Sequence, residues 1–280
     1  MIKTSRQLKA LVRNLTKGDS LQAQIIMRNY VMERFLERIS LSKYRNNFIL
    51  KGEMLVSAMV GLDTRSTMDI DTTIKNMPLS VENVKEMIEE IIAIPIDDGM
   101  TFSIKSVGEI MDEAEYSGVR ANLEATLETM RTPLKVDIST GDIITPREVL
   151  YTFRLMFEER TISILAYNLE TVLAEKMETV IARGVANTRL RDYYDLYILQ
   201  NEYTHAMNME QFKAAFLATS KKRNSIQLIT EGNRILKEIA DSEVMHGLWK
   251  SYQKKFSYAE DISWEMVMDS IEKLFEQASQ

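Results

Sequence analysis

Apolar residues near the N-terminus recur with helical spacing. Leu21, Ile25, Met27, Tyr30, Val31, Phe35 and Ile39 fall near a 3.6-residue period, which predicts a helix over 20–39 with Ser20 as its N-cap and another over 4–14. The pattern then shortens. The apolar run 47–50 reads as a buried strand, Gly52 opens a helical run to Met59, and 67–74 reads as the next strand. An acidic amphipathic helix over 81–92 is closed off by Pro95. Alternation over 102–107, 120–130 and 134–138, and then over 150–155 and 162–165, predicts five further strands. From Leu169 onward the pattern is helical. Together these elements give an α+β chain. A mixed sheet flanked by helices occupies residues 1–167, including a basic helical N-terminal arm, and a helical domain occupies 168–280.

Composition narrows the chemistry. With 45% hydrophobic and 27% charged residues, the 280-residue chain has the make-up of a folded globular protein. It has no cysteine, which excludes disulfides, thiolate metal sites and a cysteine nucleophile. Its two histidines, His205 and His246, lack a partner at metal-ligand spacing, which argues against zinc. No apolar run is long enough for a membrane span and no secretory signal is visible, so the expected location is the cytoplasm. The net charge of −6 conceals an uneven distribution. Residues 1–51 carry eleven Lys or Arg against three acids, a local balance of +8, which suits either phosphate backbone or a set of solvated helix faces.

Three short motifs carry the candidate chemistry. In M-D-I-D, Asp69 and Asp71 would share one face of a strand while Met68 and Ile70 pack behind. Two such carboxylates suit Mg²⁺, which takes one or two carboxylates plus substrate phosphates; an exposed edge strand would tolerate them equally. In K-V-D-I, Asp137 shares a face with Lys135, opposite Val136 and Ile138. If this strand lies beside the first, three aspartates could hold two metals for an in-line phosphoryl displacement, with Asp137 also available as general base. At Lys51-Gly52, a strand ending in glycine and opening a helix suits a phosphate, although plain turn geometry explains a glycine there too. Further on, Lys176 sits in an apolar helix, and Asp192 and Asp195 share a face of the next, with Arg189 or Arg191 available as partners in a salt-bridged surface. Tyr193, Tyr194, Leu196, Tyr197 and Leu199 in that helix read as core.

The order F-I-L-K-G, R-S-T-M-D-I-D, K-V-D-I-S-T-G-D, then A-E-K with R-L-R-D-Y-Y-D-L-Y-I-L resembles the AbiEii/AbiGii family of nucleotidyltransferase toxins, within the DNA polymerase β-like superfamily, over roughly residues 20–200. The resemblance implies a nucleotidyltransferase core that uses Mg²⁺ and an NTP. Asp69 and Asp71 match the metal-binding D-x-D, and Asp137 matches the third acidic position. Thr67 matches a hydroxyl position, and Arg65 and Ser66 flank it near the expected triphosphate. Lys176 matches a helical lysine that steadies nucleotide phosphates, and Asp192 its acidic partner. The resemblance also implies the toxin of a toxin–antitoxin, phage-defence system, with a DNA-binding repressor of the AbiEi type as antitoxin and RNA, by analogy the tRNA 3′ end, as acceptor. One residue departs from the pattern. Glu53 stands where the family usually has glycine or serine, putting negative charge near a polyphosphate unless it points away or pairs with Lys51 or Arg65. A protein or small-molecule acceptor, or a binding protein with weakened catalysis, are the competing readings.

Overall fold

The computed structural model describes residues 1–61, 67–110 and 118–279, and these divide into two compact units. One is built on the chain up to Asp142 together with Val149–Ala166; the other takes Ile143–Glu148 and the chain from Tyr167 onward.

The first unit begins with helices α1 (Ser5–Thr16) and α2 (Ser20–Leu41). The cap of α2 is Asp19 instead of Ser20: its carboxylate accepts from the backbone N–H groups of Leu21 and Gln22, and an anion at a helix N-terminus gains from the dipole as well. Then come β1 (Phe48–Lys51), α3 (Gly52–Val60), β2 (Ile70–Ile74) and α4 (Val81–Ile92), and the strands β3 (Met100–Glu109), β4 (Val119–Leu127), β5 (Met130–Thr140), β6 (Val149–Arg154) and β7 (Thr161–Ala166). They form one mixed seven-stranded sheet in the order β3-β4-β5-β2-β1-β7-β6. β1 runs antiparallel to β2 and parallel to β7, and β2 runs parallel to β5.

Two boundaries depart from the sequence pattern. The stretch 120–130 is nearly all of β4, a tight turn and the first residue of β5, because Leu127 and Met130 pair across that turn. No glycine or asparagine marks it; Glu128 itself takes the left-handed conformation at φ 54°, with its carboxylate held by the N–H and hydroxyl of Ser5. The strand expected over 67–74 starts at Ile70, so Asp69 lies just before it.

Part of the N-terminal positive charge is spent inside the fold. Arg38 makes a two-point bond to Asp98 at 2.8 and 3.0 Å, with both side chains buried. Arg34 reaches Glu37 and Glu158, and Arg160 closes onto the same two carboxylates. On α1, by contrast, Arg6, Lys9 and Arg13, and Lys17 at its end, remain exposed.

The second unit is helical: α5 (Leu169–Arg183), α6 (Leu190–Tyr203), α7 (Met209–Lys222), the single turn α8 (Ile226–Ile229), α9 (Gly232–Ala240), α10 (Glu243–Lys255) and α11 (Trp264–Ser279). Tyr193, Tyr194, Leu196 and Leu199 of α6 are fully buried, and Tyr193 packs on Trp264 with ring centroids 5.3 Å apart. Among the described residues no helix is long and apolar enough to cross a membrane.

Candidate active site

The register of three central strands brings the acidic motifs together. Asp71 on β2 lies directly opposite Lys51 on β1 and directly beside Asp137 on β5. Ile70, Val136 and Ile138 turn into the core, so alternation sends Asp71 and Asp137 to the other face. Asp69 joins this row: Lys135, two residues before Asp137, bonds its carboxylate at 2.7 Å.

The glycine at the head of α3 has a steric reason. Gly52 adopts φ 64°, and a Cβ there would lie 2.7 Å from the Cβ of Asp71, a distance no pair of side chains occupies. Glycine therefore lets the Asp71 side chain close over the start of α3, where the backbone N–H of Glu53 faces its carboxylate at 3.4 Å. The protein packed around Asp71 desolvates it, and the carboxylates of Glu53 and then Asp137 add to that effect, pushing Asp71 up to about 6 against the pull of Lys51 and the Glu53 N–H. The Glu53 charge thus acts at the site.

The other members of the face are held by partners. Arg120, opposite Asp137 on β4, grips both of its oxygens at 2.8 Å. Lys51 bonds the nearly buried Asp142 at 2.5 Å, and Asp142 also accepts from Ser139 at 2.9 Å. Thr67 is buried; its hydroxyl donates to the backbone oxygen of Asp69 and its own carbonyl accepts from Asn29, so it braces the approach to β2. Arg65 and Ser66 lie outside the described residues.

In the second unit, Lys176 of α5 bonds Asp192 at 3.0 Å and Asp195 at 2.6 Å. The pairing of Lys176 with Asp192 is the one the family resemblance implied, and the completely buried Asp195 is the closer of the two carboxylates. Spacing within α6 alone offered the neighbouring arginines as partners, and i, i+3 spacing cannot show that Lys176 of α5 also takes Asp195.

The model of a known family, the nucleotidyl transferase AbiEii toxin of type IV toxin–antitoxin systems, matches residues 34–276. The chain belongs to the AbiEii family. Two solved structures share the fold: JHP933 from Helicobacter pylori, at TM-score 0.53 and 13% identity over 91% of this chain and 92% of that one, and a Helicobacter pylori protein assigned as a nucleotidyltransferase, at TM-score 0.50 and 14% identity over 91% and 95%. No curated protein matches the chain. AbiEii membership makes this chain a nucleotidyltransferase of a type IV toxin–antitoxin system, which implies an NTP substrate and an antitoxin partner.

Against that family assignment, the face on β2 and β5 has the donor chemistry of a Mg²⁺ site: carboxylate oxygens, one of them with raised proton affinity and hence a demand for positive charge. Among the described residues no three acidic or histidine side chains converge as a metal cage; Asp69 and Asp137 are paired with Lys135 and Arg120. Both ion pairs are partly exposed, and a divalent cation would have to displace them, the two-point Arg120 fork being the stronger rival of the two. Sequence reasoning missed Arg120 and Asp142. Asp142 stood in view, since the K-V-D-I-S-T-G-D stretch ends on it; Arg120 carried no local signal, as only the pairing of β4 with β5 makes it a neighbour of Asp137.

Proposed function

We propose that this chain transfers a nucleotide from an NTP to a hydroxyl of RNA, the tRNA 3′ end being the specific reading, in a Mg²⁺-dependent reaction on the face formed by Asp69, Asp71 and Asp137. The observation that carries the reading is the direct pairing of Asp71 with Asp137 on neighbouring parallel strands, beside the N-terminus of α3. Bound Mg²⁺ would neutralise the phosphates and the developing charge on the leaving pyrophosphate. Asp69, Asp71 and Asp137 are the residues that would hold it. Lys51, steadied by Asp142, and the backbone at Gly52 face the phosphates; the family resemblance adds Arg65, Ser66 and Thr67 for the triphosphate, and Lys176 with Asp192 for steadying nucleotide phosphates. The acceptor oxygen forms its bond to the α-phosphorus, the bond to the bridging oxygen breaks, and Asp137 takes the hydroxyl proton once the Arg120 fork loosens.

The exposed row Arg6, Lys9, Arg13 and Lys17 supports an RNA backbone contact. In this reading the protein works in the cytoplasm as a phage-defence toxin, restrained by a DNA-binding repressor of the AbiEi type. Incubation with labelled NTPs, Mg²⁺ and either total RNA or cell protein tests the acceptor. Label at RNA 3′ ends, lost in Asp71→Asn and on removal of Mg²⁺, is the expected result; label in protein alone would reject the RNA acceptor. A second reading, a toxin with weakened nucleotide use, is favoured by Glu53, whose charge bears on Asp71 more than that of Asp137 does. In that case Glu53→Ser raises both nucleotide affinity and turnover.

A further inference from the structure

The first unit contains a cavity of about 570 Å³ whose described lining excludes the acidic face of β2 and β5. Its walls come from α2 (Asn29, Glu33), from the later part of α3 (Ser57), and from β6 and the turn after it (Tyr151, Phe153, Phe157). That volume is within the range of small-molecule sites, which combine apolar walls with a few placed polar groups.

The polar groups are mainly acceptors. The side-chain nitrogen of Asn29 already donates to the carbonyls of Ile25 at 2.9 Å and Thr67 at 3.3 Å, which leaves its oxygen for a ligand. Glu33 is 4% exposed. One of its oxygens accepts from the N–H of Met156 at 2.7 Å, and Arg34 stands 3.8 Å from that same oxygen. The Arg34 guanidinium is turned instead to Glu37 and Glu158. Among the described residues no donor reaches the second Glu33 oxygen. Glu158 and the exposed Glu159 add negative charge to the lining, and the exposed Arg154 is its one cation among the described residues. An acceptor-rich cavity with aromatic walls selects a ligand that carries donors and positive charge.

We propose that this cavity binds a small organic cation, an alkylammonium or guanidinium compound, with Glu33 as counter-charge and the aromatic side chains against its carbon skeleton. Burial pushes Glu33 up to about 8; Glu158 and Glu37 add to that, while the Met156 N–H and Arg34 oppose it. At pH 7 the bound cation therefore displaces the proton of the Glu33 carboxyl into solvent, leaving a carboxylate paired with the ligand.

Calorimetric titration of the full chain with n-butylguanidinium and n-butylammonium, and with neutral n-butylurea, tests this. At least one cation is expected to bind and the urea to give no heat. Runs at pH 7 in two buffers of different ionisation enthalpy should report proton release on binding. Glu33→Gln, which keeps an acceptor for Met156, should weaken the cation by about tenfold or more and abolish the proton release. Ala58→Phe, which fills the cavity without changing its charge, should weaken it as well. Absence of heat with both cations, equal binding of the urea, or unchanged affinity and proton release in Glu33→Gln would each overturn the proposal.

Discussion

Arg38 and Asp98 are buried in the first unit, yet each satisfies the other through two short hydrogen bonds, while half-buried Asp71 a few strands away faces two more carboxylates in Glu53 and Asp137. Both arrangements take charge out of water. The first offsets that cost through a matched partner; the second leaves Asp71 beside like charge, which raises its proton affinity. The same contrast separates stabilising charge from reactive charge across the unit. Arg34, Glu37, Glu158 and Arg160 form a second balanced group, whereas on the strand face, among the described residues, Asp69 and Asp137 pair with the partly exposed Lys135 and Arg120 and Asp71 keeps Glu53 and Asp137 as like-charged neighbours.

Removing one member of a balanced pair should give the largest effect on stability. Asp98→Ala leaves a buried guanidinium without its partner, which costs about 3–5 kcal/mol. Thermal unfolding should register this as a fall on the order of 10 °C. Replacing both residues by apolar ones, Arg38→Met with Asp98→Leu, should recover much of the loss, since no uncompensated charge remains. An Asp98→Ala protein that melts with the parent would place this pair among the inert ones and erase the contrast.

A steric version of the comparison lies at Gly52. Alanine there must adopt φ 64° and push its Cβ into the side chain of Asp71, so about 1–3 kcal/mol of destabilisation is expected in denaturant titrations. The two causes separate in a double mutant. Combining Gly52→Ala with Asp71→Gly removes the clash and leaves the backbone strain, so the pair should be more stable than the sum of its singles predicts. Strict additivity would mean that Asp71 does not press on the turn.

How much of this was legible beforehand follows from what is local. Helix α4 was readable to the residue at Val81–Ile92, because an amphipathic period and a proline stop lie within one stretch, to which the structure adds Ser80 as cap. The facing of Asp137 with Lys135 was likewise readable from period-two alternation, whereas Asp69 lies just before β2 and joins the row of Asp71 through its bond to Lys135. What could not be read is whatever the sheet order decides. That β5 lies next to β2 and β4 next to β5 sets Asp137 between Asp71 and Arg120, and neither adjacency leaves a trace in the intervening sequence. Gly52 was read for its freedom at a turn, while the contact that requires it comes from a side chain nineteen positions further along. Charge counting failed for the same reason: the local excess of +8 includes Arg34 and Arg38, whose partners at Asp98 and Glu158 lie beyond the counted window.

The smallest stability effect is expected where the chemistry is most sensitive. Asp71→Asn keeps the size of the side chain and an oxygen to accept from the Glu53 N–H, and it removes the charge that Glu53 and Asp137 oppose. The repulsion and the desolvation vanish together, so the variant should unfold within about 1 kcal/mol of the parent or slightly above it. Nucleotidyl transfer should fall to background, because an amide supplies neither the charge nor the second donor oxygen that a divalent cation needs. The pairing of these two readouts is what discriminates. Asp98→Ala loses stability, and whatever activity it loses follows the unfolded fraction; Asp71→Asn loses activity with the fold intact. If Asp71→Asn instead melts several degrees early, Asp71 is a brace for the head of α3, and the excess charge at that face has a structural origin.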